Sequence, residues 1–189
     1  MRRGFKSQCE KRSLEIRKRM DLNPTSSLSA FDLAAHEDVK VISALEVGGL
    51  SESDSSQLCN EEDDSWSALT IRIQSKHLVI YKPISNKPRI NSVVMHELSH
   101  IMLGHELESA GMSEDGHLIP SNFNQEQEDE ADWLAGTLLL PRPALLSIKK
   151  SEMSDQDAMQ LYSVSRQMLT WRVRMTGVNY QLSYARGRN

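Results

Sequence analysis

The sequence predicts an α+β fold in which a helical core packs on a small antiparallel β-sheet or hairpin, with helical segments at both ends. Apolar and polar residues alternate over 69–73, and 77–81 is rich in β-branched and aromatic residues. Two such runs joined by a short polar link predict a hairpin. Two longer segments, 89–105 and 125–140, place apolar residues at helical spacing, which predicts the helices of the core.

The residues before the hairpin predict three short elements after an initial helix. Residues 5–20 form a weakly amphipathic, basic helix that should end at the turn formers Asn23 and Pro24. A short helix is expected near 29–36, and a strand is marked by Val39, Val41, Ile42 and Leu45. Residues 50–64 are acidic and rich in serine; Ser51 followed by Asp54 resembles a capping box, which predicts a short helix and then an exposed loop.

The residues after the hairpin predict mostly helix. Pro83 and Pro88 lead into the helix over 89–105, and a loop over 109–124 leads to the helix over 125–140. That helix should stop at Pro141 and Pro143, because proline lacks the N–H that a helix interior needs. The remainder is helical with a turn at 163–165. We assign residues 1–145 to one domain and 146–189 to a helical appendage packed on it.

Charge is distributed unevenly along the chain. The net charge is −4, but residues 1–20 carry +6, residues 158–189 carry +5, and the stretch between them carries −15. Basic ends can contact nucleic acid, but a solvated helix face or a partner-docking surface explains them equally simply and is favoured.

The sequence favours a cytoplasmic protein whose cysteines are reduced. No apolar run approaches the ~20 residues that span a bilayer, and the basic N-terminus is not followed by the apolar stretch of a secretory signal. Cys9 and Cys59 lie 50 positions apart and match no metal-binding spacing, so we expect two free thiols.

The residues His96-Glu97-Leu98-Ser99-His100 form an HExxH sequence on a predicted helix. Positions i and i+4 lie about 40° apart on a helix, so both imidazoles point the same way and can bind one cation. Glu97 can then reach a water on that cation without being a ligand itself. The apolar residues of the helix fall on its opposite side, as expected of a helix that lines a cleft. The alternative is a surface helix with two solvated histidines.

A catalytic zinc needs a third protein ligand. His105 lies about 140° around the helix from His100 and is therefore not expected to join the pair. The longer metzincin pattern also fails, because its glycine and histidine positions are occupied by Leu103 and Glu106. The other histidines have no supporting context and are interpreted as ordinary surface or hydrogen-bonded residues: His36, His77 and His117.

The second long helix supplies a better third ligand. Five acids crowd residues 126–132, but helical angles place Glu128 and Asp132 on the apolar side and Glu126 and Glu130 away from it. A carboxylate on a buried stripe needs a partner, and a cation held by His96 and His100 would provide one. Asp132 could accept the second ring N–H of a ligand histidine. The alternative is that Glu128 pairs with a buried Arg142 or Arg89.

HExxH followed by ExxAD on a later helix resembles a gluzincin-type zinc peptidase, and the details resemble the ImmA/IrrE family. The similar segments are RINSVVMHELSHIMLGH (89–105), EDEADWLAGTLLLP (128–141), the strand that starts at Trp66 and the opening Arg3-Gly-Phe-Lys. This chain has Leu140 where the family commonly has methionine, away from the expected ligands.

The resemblance implies a zinc metallo-endopeptidase. It assigns His96, His100 and Glu128 to the zinc, Glu97 to general acid/base catalysis and Asp132 to the support of a ligand. It also implies a protein substrate: a helix-turn-helix repressor of the XRE type, encoded alongside and cut to relieve repression during stress.

A DNA-binding regulator is the competing hypothesis. Residues 161–174 resemble the turn and second helix of a helix-turn-helix, with Arg166, Arg172 and Arg174 available for phosphates. Packing of apolar residues on the core explains the same pattern and is favoured. A third hypothesis keeps the peptidase fold but no catalysis, as a sensor that only docks a repressor.

Overall fold

The computed structural model describes residues 1–63, 65–105, 110–112, 118–120 and 124–186, and it confirms the α+β class. Its helices are α1 (Phe5–Arg19), α2 (Ala30–His36), α3 (Glu52–Leu58), α4 (Lys87–Leu103), α5 (Gln125–Leu139), α6 (Arg142–Lys150), α7 (Asp155–Tyr162), α8 (Arg166–Thr176) and α9 (Val178–Arg186). Its strands are β1 (Lys40–Ser43), β2 (Ala68–Ile73), β3 (Lys76–Tyr81), β4 (Ala110–Met112) and β5 (Leu118–Pro120).

The main sheet has the order β1-β3-β2 and is mixed. The predicted hairpin is present: β2 and β3 pair antiparallel, with Thr70 opposite Val79. The sequence predicts an antiparallel sheet, but β1 runs parallel to β3, so this part of the prediction is wrong. A parallel partner needs a long crossover, and the segment containing α3 and β2 provides it. Leu45 lies outside β1, since Ser43 and Glu46 form a capping box that ends the strand in a 3₁₀ turn.

A second, two-stranded sheet lies within the segment predicted as a loop. Strands β4 and β5 pair antiparallel, with Gly111 opposite Ile119. Each has three residues, which is too short for a periodic pattern to appear in the sequence.

Helix α4 packs against β2 and β3 of the main sheet and against α2 and α5. Asn86 caps its start through Oδ1, which accepts a hydrogen bond from the Arg89 amide at 3.2 Å. The helix ends at Leu103, two residues before the predicted end, because Gly104 takes a left-handed conformation with φ of 68°. The residues that α4 buries in the core are Val94, Met95 and Leu98.

Two buried arginines hold the C-terminal end of α5. The Arg17 guanidinium donates to the Leu138 carbonyl at 2.7 Å, to the Ser13 hydroxyl at 2.7 Å and to the Ser26 carbonyl at 3.1 Å. Arg172 donates to the Leu140 carbonyl at 3.1 Å. The last carbonyls of a helix have no partner within it and carry its negative dipole end, so both cations stabilise α5 and tie it to α1 and α8.

The C-terminal helices pack on the core. Val164 and Leu169 are buried, and Gly136 of α5 leaves room for the Trp171 side chain. The expectation that Arg172 is available for phosphates is wrong, because its side chain is fully buried and bonded to Glu10 at 2.7 Å. The proposed boundary at residue 145 lies inside α6 and stays a prediction.

No helix in the described part of the chain combines the length and the apolar character needed to cross a bilayer. Both cysteines are free thiols, with Cys9 buried in the core. Burial raises the pKa of the Cys9 thiol to about 12, so it stays protonated at neutral pH.

Replacing Arg17 with methionine should lower the free energy of unfolding by about 2–4 kcal/mol, because several buried oxygens lose their donor. Urea unfolding followed by circular dichroism measures this change. Arg19→Met is the matched control: its ion pair with Glu37 lies at the surface, and the expected change is below ~1 kcal/mol. Equal effects of the two substitutions would contradict this role of Arg17.

Candidate metal centre

Helix α4 presents two histidines side by side. His96 and His100 lie one turn apart, and their Nε2 atoms are 2.9 Å from each other. Val94, Met95 and Leu98 are buried on one side of α4, while the two histidines lie on the other side, with side chains that are partly exposed. This is the arrangement that the HExxH spacing predicts.

Helix α5 brings Glu128 to the same point. Its carboxylate oxygens lie 3.1 Å from His96 Nε2 and 3.4 Å from His100 Nε2. One donor atom from each of the three residues lies within 4.8 Å of the others. Arg142, the alternative partner of Glu128, instead donates to the Thr176 carbonyl and to Gln181.

This donor set fits a divalent metal. Two imidazole nitrogens and a carboxylate are the protein ligands of many catalytic zinc sites. Ligand atoms about 2.0–2.1 Å from a tetrahedral zinc lie roughly 3.3–3.4 Å apart, close to the spacings between these three side chains. His96, His100 and Glu128 therefore form a candidate metal site.

Asp132 contacts His96 on the side opposite the candidate metal site. Its Oδ1 lies 2.9 Å from His96 Nδ1, the nitrogen that points away from the candidate metal site. Its side chain is 70% exposed, so the expectation that Asp132 lies on the apolar side of α5 was wrong. A helical angle gives the direction of a side chain but not whether another element covers that direction.

Glu97 lies beside the histidines and contacts the sheet. The Thr70 hydroxyl on β2 donates to Glu97 Oε2 at 2.6 Å. Thr70 was not predicted as part of the site. The alternation in β2 gave no signal for it, because an apolar face is expected in the core, whereas Leu69 and Ile71 are exposed and Thr70 faces α4.

His105 and Glu130 also lie near the histidines, contrary to expectation. The sequence predicts His105 on α4 and away from the pair, but the helix ends before it, and its Nδ1 lies 3.1 Å from His100 Nδ1. Glu130 was placed on the solvent side of α5, but its side chain is only 14% exposed and its Oε2 lies 3.6 Å from His105 Nε2. His105 does not share the donor cluster of the other two histidines, so it is not a candidate ligand.

The electrostatics keep one histidine neutral and favour charge on the other. Burial, followed by the charge of His96, lowers the pKa of His100 to about 4, so its ring has a free lone pair at neutral pH. Burial also opposes charge on His96, but the hydrogen bond that His96 donates to Asp132 and the charges of Asp132, Glu97 and Glu128 outweigh it and raise the pKa of His96. The acidic surroundings therefore attract a cation.

The other two described histidines, His36 and His77, lie outside this cluster. His36 lies beside Glu37, at 3.2 Å, on the surface. His77 is half-buried on β3. His117 lies outside the described residues.

A comparison with protein families agrees with this geometry. No curated protein sequence matches the chain. Residues 58–174 match the model of the M78 peptidases, described as the IrrE N-terminal-like domain. The match covers more than half of the chain, includes α4 and α5, and confirms the resemblance to ImmA/IrrE proteins. The chain therefore belongs to the M78 (IrrE N-terminal-like) family of metallopeptidases.

Proposed function

We propose that the protein is a zinc-dependent endopeptidase, with Glu97 as the general acid/base and a helix-turn-helix repressor of the XRE type as its substrate. The observation that carries the proposal is the meeting of His96, His100 and Glu128 from two helices, with Glu97 beside them. Zinc suits this donor set better than Mg²⁺ or Ca²⁺, which prefer oxygen ligands.

Glu97, Thr70 and Asp132 have different roles in the proposed hydrolysis. When bound, zinc lowers the pKa of a coordinated water towards ~7 and polarises the scissile carbonyl. Glu97 accepts a proton from the attacking water and later donates it to the leaving amine. The Thr70 hydroxyl donates a hydrogen bond to Glu97 Oε2 at 2.6 Å, which holds this carboxylate in place next to the histidine pair. Asp132 holds His96 as the tautomer whose Nε2 is free to bind the metal.

Strand β2 supports a peptide substrate. In the described part of the chain β2 pairs only with β3, so its other edge offers backbone groups beside Glu97. An extended substrate can add to this edge as a further strand, which would hold its peptide bond near the metal.

The identity of the substrate rests on the family resemblance. A cytoplasmic repressor fits a soluble protease of this kind, and we propose no direct role for nucleic acid or membranes. The burial of Arg172 weakens the competing DNA-binding hypothesis, because it removes one of three cations from the suggested phosphate contacts.

Glu97→Gln should lower peptide hydrolysis at least ~10²-fold while the protein still binds zinc, because the amide cannot accept the proton and Glu97 is not a ligand. Quenched fluorescent peptides and a purified XRE-type repressor serve as substrates, and elemental analysis measures bound zinc. Wild-type hydrolysis by this variant would refute the catalytic role of Glu97. Absence of hydrolysis by the zinc-loaded wild type as well would favour the docking sensor.

His96→Ala is the companion variant and should lose both zinc and hydrolysis. His36→Ala, which removes a surface histidine outside the cluster, should keep both. Retention of stoichiometric zinc by His96→Ala would place the metal elsewhere.

N-methylation of a cleaved peptide should slow cleavage roughly tenfold at alternate residues and have little effect at the residues between them. In a strand added to β2, every second amide faces the edge and donates a hydrogen bond. The measurement is kcat/KM for each methylated peptide, with the unmethylated peptide as control. An equal effect at every position would contradict strand addition.

A further inference from the structure

The His105 ring lies against the side of His100 that faces away from the candidate metal site. The two Nδ1 atoms are 3.1 Å apart, and the two rings meet edge to face with centroids 5.0 Å apart. The His105 side chain is only 7% exposed. A buried imidazole at this distance must share a hydrogen with its neighbour, because an unpaired polar atom in that position is costly.

The end of α4 creates this contact. Gly104 adopts φ of 68°, which a residue with a side chain rarely does, and turns the chain back on the helix. The His105 amide then donates to the His100 carbonyl at 3.1 Å. The turn therefore places His105 next to His100, which lies five residues earlier in the chain.

The hydrogens can be assigned from the chemistry of the two rings. If His100 Nε2 binds a metal, that nitrogen carries no hydrogen, so the hydrogen of the neutral ring is on Nδ1. His100 Nδ1 is then the donor, and His105 Nδ1 must be the acceptor. His105 in turn carries its hydrogen on Nε2, the nitrogen nearest to Glu130.

We propose that His105 is a positioning residue that orients His100 for metal binding by accepting a hydrogen bond from its Nδ1. This inference rests on the proposed metal site. Glu130 supports the arrangement: its carboxylate lies 3.6 Å from His105 Nε2, too far for a hydrogen bond but close enough to favour the tautomer with hydrogen on that nitrogen.

The two ligand histidines are then supported in different ways. His96 donates its Nδ1 hydrogen to a carboxylate, Asp132, at 2.9 Å. His100 instead donates to an imidazole, His105, which has the Glu130 carboxylate on its other side. Support of this kind fixes the ring orientation and the tautomer of a ligand, and its loss typically weakens metal binding ~10–100-fold.

Zinc affinity of His105 variants tests the proposal. His105→Phe keeps an aromatic ring but accepts no hydrogen bond, and it should raise the zinc Kd ~10–100-fold. His105→Asn is smaller but places an amide oxygen near the position of Nδ1, so it should bind zinc more tightly than His105→Phe. Competition with a chromophoric chelator gives each Kd, and thermal unfolding of the metal-free proteins checks their folding. His77→Phe, which changes a half-buried histidine outside the site, is the matched control and should leave the Kd unchanged.

Two results would overturn this role of His105. One is a wild-type Kd for His105→Phe, and the other is an asparagine variant that binds no more tightly than the phenylalanine variant, which would indicate packing alone. His100→Ala separates this failure from failure of the proposed function. If His100→Ala also binds zinc normally, the metal is not at the proposed site. If His100→Ala loses zinc but the His105 variants bind it normally, the metal site is correct and His105 does not support it.

The tautomer can be read in the unmodified protein. Two-bond ¹⁵N–¹H spectra of the zinc-loaded wild type should show His105 with its hydrogen on Nε2. A hydrogen on His105 Nδ1 would contradict the proposal, because two N–H groups would then face each other.

Discussion

Helices α4 and α5 are separate segments of the chain, and their packing sets the distance between Glu128 and the two imidazoles. The histidines alone require only one regular helix, since positions 96 and 100 share a side in any α-helix. The third donor depends on the contact between two helices. The carboxylate stands 3.1 and 3.4 Å from the imidazole nitrogens because apolar residues such as Met95, Leu98 and Leu134 are buried on both helices.

The ends of these helices are fixed by polar contacts from other parts of the fold. Arg17 and Arg172 hold the C-terminal end of α5, and Asn91 in α4 accepts a hydrogen bond from the Ala30 amide of α2 at 2.8 Å. Burial lowers the pKa of Arg17 to about 10, which still leaves it charged at neutral pH. The site therefore depends on α1, α2 and α8, although none of them supplies a candidate ligand.

Much of the fold was predictable because its elements are long and periodic or end at residues with fixed preferences. The hairpin and α5 were predicted almost to the residue. The parallel pairing of β1 was not, because no pattern within a strand specifies the direction of its partner. The three candidate ligands were predictable from spacing and helical angles. Thr70, His105 and Glu130 were not, because their positions depend on the register of β2 and on the turn at Gly104.

One metal ion is expected to join α4 to α5 through His96, His100 and Glu128. Anomalous diffraction at the zinc edge, from crystals of the zinc-loaded protein, locates that ion. A single strong peak is expected between the two helices, about 2.0–2.2 Å from His96 Nε2, His100 Nε2 and a Glu128 oxygen. A peak elsewhere, or a Glu128 carboxylate turned away from the ion, would contradict this expectation.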